Sequence, residues 1–401
     1  MENKLSLSDL DVTGKKILMR VDFNVPLDHG EITDDTRIKA ALPSIQYVLK
    51  NEGSLILMSH LGRPKGKPNV EFSLSPCAVR LSNLLKQPVQ MASDCVGPEV
   101  ESQIAQLKPG NVILLENLRF HPGEEKPAEE PGFVEKLAKL GDIYVNDAFG
   151  TAHRAHASTT LIASLFPGKA AAGFLMEKEL QFLGSALLKP KRPFYAIIGG
   201  AKISTKIGVL KALTTKVDAL LLGGGMAYTF FKAMGVSIGN SICEDDQLVV
   251  AKELLDFCKK KNVEFLLPLD LVVADKPVNG AKKMIVEASQ GIPEGYEGVD
   301  IGPKTIELFK ARLKDAATIF WNGPLGIFEQ SDFALGTQAI AEAVASSQGV
   351  TVVGGGDSIA ALEEAGVADK ITHISTGGGA TLEFIENRQL PGIKVLTNVK
   401  K

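Results

Sequence analysis

The chain carries one tryptophan, five tyrosines and only four cysteines in 401 residues. Cys77, Cys95, Cys243 and Cys258 lie far apart with no C-x-x-C pair, which argues against a structural zinc site and a thioredoxin-type redox motif. Long apolar runs are also missing: no stretch reaches the roughly 18 uninterrupted apolar residues of a membrane span. The opening "MENKLSLSDLDVTGKK" has no apolar segment followed by small residues, so the expectation is a cytoplasmic chain with no membrane role. Neither sign of charge dominates. Lysine and arginine total 44 against 47 acidic residues, and the net charge of −3 offers no footprint for nucleic acid. His153 and His156 are spaced i, i+3, but "AHRAH" lacks the Glu and third ligand of an H-E-x-x-H metal site.

What the chain does have is a succession of short runs rich in Ile, Val and Leu. In the first half they occupy residues 15–27, 54–64, 111–120 and 142–150; in the second, 194–202, 217–225, 263–273, 317–326, 350–357 and 371–379. Near-continuous apolar runs of this length predict parallel strands buried on both faces. Helical patterns separate them, as in "DDQLVVAKELLDFCKKK" and "DFALGTQAIAEAVASS". The alternation occurs twice, giving an α/β chain of two Rossmann-like, doubly wound parallel-sheet domains. Between them, Phe174, Leu175, Leu180, Leu183 and Leu187 recur at roughly helical spacing until Pro190 and Pro193 stop the pattern. This predicts a helical hinge at 173–190 between domains at 1–172 and 191–388, with a tail, 389–401, returning to the first.

Ligands in open α/β sheets bind at the carboxyl ends of the strands, and the two halves differ there. The second half presents glycines. In "TVVGGGDSIAAL", Gly354, Gly355 and Gly356 leave backbone amides facing open space at a helix start, an anion site. Asp357 beside them would repel phosphates unless a cation lies between, and Mg²⁺, held by one carboxylate and phosphate oxygens, resolves the conflict. The plainer alternative is that Asp357 caps a helix beginning near Ser358. "GGAKISTK" supplies Lys202 and Lys206, which on a helix would sit one turn apart and meet the same phosphates. The first half instead places Asp22, Asn24, His60, Arg63, Arg119 and Arg154 after its strands. Six of nine arginines, Arg20, Arg37, Arg63, Arg80, Arg119 and Arg154, precede residue 155, and guanidinium forks suit a small, multiply anionic ligand. His60 then reads as a hydrogen-bond donor to that anion.

The segments "RVDFNVPL", "HLGRP", "ENLRFHPGEE", "NDAFGTAHRAHAS", "IIGGAKISTKI", "LLGGGMAYTF", "WNGPLGIFE", "GGGDSIAAL" and "STGGGATLEF" together resemble the motif series of the phosphoglycerate kinases, in order and across nearly the whole chain. The resemblance implies Mg²⁺-dependent, reversible phosphoryl transfer between 1,3-bisphosphoglycerate and ADP, giving 3-phosphoglycerate and ATP, by a monomer that closes about its hinge. It implies a phosphoglycerate site of Asp22, Phe23, Asn24, Arg37, His60, Leu61, Gly62, Arg63, Arg119 and Arg154. It implies a nucleotide site of Lys202, Lys206, Gly223, Gly224, Asn322, Pro324, Glu329, Gly354 to Asp357 and Ser358, with Asp357 the metal ligand. Gly377, Gly378 and Gly379 would offer a helix start to the moving phosphate, and Arg37, Lys202 and Lys206 would act on it. Two departures are small: Ser358 stands where many members have Thr, and Ser204–Thr205 replaces a more acidic pair.

Two other readings are weaker. A nicotinamide-dependent dehydrogenase also needs glycine-rich turns, yet no G-x-G-x-x-G is followed by an acidic residue about 20 positions on. A two-lobed anion-binding protein without chemistry would not need both the lysine pair and Asp357.

Overall fold

The structure, a computed structural model, describes residues 4–399. Residues 1–3 of the first expected domain and 400–401 of the expected tail lie outside the described residues. The chain divides into two compact units: one ends at Gln181 and resumes at Gln389, and the other spans Phe182–Arg388.

The first unit contains strands β1 (Lys16–Arg20), β2 (Leu27–Asp28), β3 (Glu31–Ile32), β4 (Ser54–Met58), β5 (Val89–Met91), β6 (Val112–Leu114), β7 (Ile143–Asn146) and β8 (Ala170–Ala172). Its helices are α1 (Thr36–Lys50), α2 (Ser75–Leu85), α3 (Pro98–Ala105), α4 (Pro122–Glu125), α5 (Phe133–Ala138) and the start of α6 (Phe174–Leu183). Six strands form one parallel sheet in the order β5-β6-β4-β1-β7-β8. Every residue of β4, β6 and β7 is buried, as strands covered on both faces require. The order turns back between β1 and β7, so the loops after these strands flank the crevice where doubly wound sheets bind ligands.

The second unit contains β9 (Phe194–Ile198), β10 (Ala219–Leu222), β11 (Glu264–Leu266), β12 (Asp270–Ala274), β13 (Lys283–Glu287), β14 (Glu297–Ile301), β15 (Thr318–Asn322), β16 (Val350–Gly354) and β17 (His373–Ser375). Its helices are α7 (Ile207–Leu213), α8 (Met226–Ala233), α9 (Leu248–Lys261), α10 (Pro303–Leu313), α11 (Leu335–Ala345), α12 (Gly356–Glu364) and α13 (Gly379–Asn387); α14 (Pro391–Lys394) follows in the first unit. The main sheet is parallel, β11-β10-β9-β15-β16-β17, and its order turns back between β9 and β15. Trp321 on β15 is fully buried in a core with Ile197, Leu221, Phe309 and Val353.

The single parallel strand expected over 263–273 is instead two strands in different sheets. Pro268 has no N–H to continue a ladder, so the run breaks there. Before it, β11 pairs in parallel with β10; after it, β12 pairs antiparallel with β13 and β14 in a small additional sheet. Asp270 fixes the break, its Oδ1 accepting from the Thr305 amide at 2.8 Å and its Oδ2 from the Lys304 amide at 3.0 Å. The strands β5, β8, β13 and β14 carried no clear sequence signal, being short or partly exposed. Helix α6 runs into a π-helical turn, Gly184–Leu188.

Candidate active site

In the first unit the β1 and β4 loops are tied together by their own polar side chains. Asn24 Oδ1 accepts the Gly62 amide at 2.8 Å, and Gly62 sits at φ 61° with its Cα so close to Phe72 that a Cβ would lie 2.3 Å from the ring. Asn24, Leu61 and Gly62 also line a cavity of about 550 Å³. Arg37, in the first turn of α1, reaches back across this loop. Its Nη1 donates to both oxygens of Asp22 at 3.2 and 3.1 Å and to the Asn24 carbonyl at 3.1 Å. The guanidinium is still about a third exposed, so Asp22 aims it without enclosing it.

Arg119 Nη1 donates to the Gly62 carbonyl at 2.8 Å, Nη2 lies 3.2 Å from Glu125, and its buried Nε has no partner among the described residues. Arg63 and Arg154 are exposed. His60 is buried, and its Nδ1 lies 3.1 Å from Nη2 of Arg20. A guanidinium can only donate, so Nδ1 accepts and the ring proton sits on Nε2. Burial first, then Arg20, Arg119 and Arg37, hold the His60 pKa well below the usual range. Burial, then Arg154, lowers the pKa of His153, and burial, opposed by Glu124 but aided by Arg119 and Arg20, lowers that of His156 to about 4. Three neutral histidines among arginines mark a strongly electropositive basin suited to an anion.

Phe23 and Leu61 enter this region differently from their neighbours. Both side chains belong to the core, the Phe23 amide donates to Ser59 Oγ at 2.8 Å, and Leu61 exchanges both backbone groups with Asn117. They set the loop path. Behind them lies a buried network that the sequence did not reveal. Arg20 is fully buried, donating to Ser158 Oγ at 2.8 Å and, at very short range, to the Val21 carbonyl; Ser158 Oγ in turn donates to buried Glu124 at 2.6 Å. A lone Arg inside the apolar run "KILMRVDF" was the available signal, since such a charge must find a partner.

In the second unit, Lys206 lies where the sheet order turns back. Its Nζ donates to the carbonyls of Gly199 at 2.7 Å and Asn322 at 3.1 Å, just beyond the ends of β9 and at the end of β15. Burial lowers its pKa from 10.5 to about 8, with Asp357 opposing the shift. Lys202 and Lys206 do not share a helix. Lys202 is exposed in the loop and Lys206 is the residue before α7, because Gly199 and Gly200 are bound to Asn322 and Pro324 and the chain cannot coil until Ile207.

Asp357 is not the N-cap of α12. The helix begins at Gly356, with Gly355 (φ 97°) in the cap position, and no side-chain cap bond forms, so the exposed carboxylate of Asp357 remains available. Ser358 is buried and its Oγ accepts the Gly323 amide at 2.6 Å, while Asn322 Nδ2 donates to the Gly354 carbonyl at 2.6 Å. These bonds lock the β15 and β16 loops together. Asp357, Glu329, Gly224, Pro324, Gly200 and Ile242 line one cavity of about 250 Å³. Gly223 packs beside it, since a Cβ there would meet Leu325 at 2.7 Å. Of the three amides expected at the start of α13, that of Gly377 already donates to Ser375 Oγ at 3.2 Å, leaving Gly378 (φ 50°) and Gly379 for a ligand.

A doubly wound sheet ending in an arginine-rich basin, and a second ending in glycine loops with a half-buried lysine and an exposed carboxylate, are the parts of an α/β phosphotransferase. The comparisons specify which. A family model described as phosphoglycerate kinase matches residues 7–388. A phosphoglycerate kinase of Moorella thermoacetica is 56% identical over 394 residues, covering 98% of this chain and 99% of its own, and that of Chlorobium limicola is 56% identical over 399 residues, covering 98% and 100%. Solved phosphoglycerate kinases from Coxiella burnetii and Pyrococcus horikoshii superpose with TM-scores of 0.86 and 0.82 at 42% and 34% identity, each pair covering 98% of both chains. The chain belongs to the phosphoglycerate kinase family. No helix among the described residues is long and apolar enough to cross a membrane.

Proposed function

We infer that the chain catalyses reversible phosphoryl transfer between 1,3-bisphosphoglycerate and ADP, yielding 3-phosphoglycerate and ATP, as a cytoplasmic monomer. The observation that carries the assignment of roles is the contrast between the two half-sites in a chain of this family. Asp22, Asn24, Arg37, His60, Arg63, Arg119 and Arg154 would hold the phosphoglycerate, with Phe23, Leu61 and Gly62 shaping its loop. Lys202, Lys206, Gly223, Gly224, Asn322, Pro324, Glu329 and Gly354 to Ser358 would hold the nucleotide. Mg²⁺ fits beside Asp357, whose carboxylate is exposed and makes no cap bond. When bound, the ion would neutralise phosphate charge.

The acceptor is a carboxylate, already ionised at pH 7, so no general base is needed. Arg37, Lys202, Lys206 and the amides of Gly378 and Gly379 have only to orient the reactants and stabilise charge on the moving phosphoryl group. The two ligands belong to different units, so transfer also requires the units to close and exclude water from the acyl phosphate. The test is a coupled assay for ATP-dependent formation of 1,3-bisphosphoglycerate from 3-phosphoglycerate. Tight binding of both ligands without product would favour a binding protein and refute the assignment.

A further inference from the structure

The loops that follow β5 and β6, at one edge of the first unit's sheet, carry a cluster of polar groups that phosphoryl transfer does not use. Asp94 and Cys95 come from the first loop, and His121, immediately before α4, from the second. The Asp94 carbonyl accepts the Glu116 amide at 3.3 Å, which holds the two loops side by side. A carboxylate oxygen of Asp94, Sγ of Cys95 and a ring nitrogen of His121 all lie within 4.8 Å of one another. The spacing of the cysteines along the chain could not show this, because the groups meet only across neighbouring loops.

His121 is held as a metal-ligating imidazole usually is. Its Nε2 lies 2.8 Å from Asp94 Oδ1, and its Nδ1 lies 2.8 Å from Glu130 Oε1 on the other side of the ring. Glu130 is itself anchored, since its Oε2 accepts the Gly123 amide at 3.2 Å. A carboxylate behind Nδ1 fixes the tautomer that leaves Nε2 for an ion. Phe133 stacks on the ring with centroids 5.0 Å apart and planes 20° from parallel, so the ring is also fixed in its plane. Ion pairing accounts for His121 with its two carboxylates, but not for the sulfur. Cys95 is completely buried, and its Sγ lies beside a carboxylate and an imidazole, where a thiol serving only as a small apolar group would gain nothing.

We propose that Asp94, Cys95 and His121 bind a borderline-soft divalent cation of the Zn²⁺ class, with Glu130 orienting the imidazole and a water completing the tetrahedron on the half-exposed side of Asp94. A mixed oxygen, sulfur and nitrogen set suits Zn²⁺ and is wrong for Mg²⁺, so this site is separate from the one beside Asp357. On binding, Cys95 gives up its Sγ proton and His121 its Nε2 proton to solvent, and the cation replaces the proton that otherwise bridges His121 and Asp94. The ion would join the two loops directly ahead of α4, whose Glu125 meets Arg119 and whose Glu124 meets Ser158. Its effect therefore falls on the stability of the first unit and not on the transfer step.

The test takes the full chain, stripped of metal with a chelator and kept in excess Mg²⁺, and titrates it with Co²⁺ as a spectroscopic stand-in and with Zn²⁺. The wild type is expected to develop tetrahedral d–d bands and a thiolate-to-cobalt charge-transfer band, saturating at about one ion per chain. Zn²⁺ should abolish both bands and raise the thermal midpoint. Cys95→Ala should lose the charge-transfer band and the Zn²⁺-induced rise. Glu130→Gln should weaken Co²⁺ binding about 10–100-fold, and His121→Gln by more. These two variants keep the buried thiol and decide the matter if Cys95→Ala does not fold. Cys243, a partly exposed thiol 3.3 Å from Asp245, is the other place where a metal could meet sulfur and oxygen, and Cys243→Ala should leave every signal intact. A wild type with neither charge-transfer band nor Zn²⁺-induced rise would overturn the site. So would a band that survives Cys95→Ala or vanishes in Cys243→Ala, or Co²⁺ affinity unchanged in both His121→Gln and Glu130→Gln.

Discussion

Lys206 offers the sharpest test of the nucleotide half-site, because its burial makes a measurable commitment about protons. Without ligand its pKa is about 8, lowered from 10.5 mainly by desolvation. A polyphosphate brought beside it would favour the ammonium and return the pKa toward its ordinary value. At pH 8.5 the free protein would carry about a quarter of a proton there, so Mg–ADP binding should take up roughly three quarters of a proton; at pH 7 the uptake should be only about a tenth. Isothermal titration calorimetry in buffers of different ionisation enthalpy reads this number directly. The same shift has a sign in stability. The folded pKa lies below the unfolded one, so the protonated amine opposes folding, and the opposition is relieved as pH rises from about 8 to 10.5. A shift of this size corresponds to about 3 kcal/mol. Lys206→Met should therefore abolish the proton uptake and lower turnover while leaving thermal stability at pH 7 unchanged or raised, as replacing a buried charge with an apolar group of similar size often does. Uptake below about 0.2 proton at pH 8.5 in the wild type, or equal uptake in Lys206→Met, would refute the placement of phosphate at this amine.

Arg37→Ala removes the partly exposed guanidinium that Asp22 aims across the basin, and kcat should fall by about 10²–10³; turnover within threefold of wild type would remove Arg37 from the transfer step. Asp357→Asn should weaken Mg–ADP binding with the thermal midpoint unmoved, since the side chain makes no cap bond; a lower midpoint with intact affinity would mean a structural role. His121 lies 2.8 Å from both Asp94 and Glu130, and Asp94 foremost raises its pKa above the usual histidine value. Its contribution is thus complete below the unfolded histidine pKa of about 6.5 and lost as pH rises through the raised one, so the stability gap between wild type and His121→Gln should be wider at pH 6 than at pH 9 in urea titrations. An equal gap at both pH values would show that the imidazolium pair contributes nothing.

The strand-and-helix alternation was legible because parallel strands covered on both faces must be apolar throughout, and β4, β9, β10 and β15 are buried at every position. The glycine loops were legible for a similar local reason: amides at a helix start are exposed only where side chains are absent. Sequence periodicity could not divide 263–273, since Val263, Phe265, Leu266 and Leu267 before Pro268 and Leu269, Leu271, Val272 and Val273 after it look alike until their pairing partners, β10 on one side and β13 and β14 on the other, are known. Nor could it give Lys206 its chemistry. Two lysines four apart read as equivalents, yet one is exposed and the other is half-buried against the Gly199 and Asn322 carbonyls, residues separated from each other by more than a hundred positions. Glu124 and Ser158 were likewise indistinguishable from ordinary surface or core residues until folding brought them together with Arg20 behind His60. Local sequence determined which backbone each segment forms and where side chains had to be absent, because those are questions of sterics and period. The tertiary structure decided which polar groups are buried, and against what, because desolvation and hydrogen bonding act between segments that meet only in the folded chain.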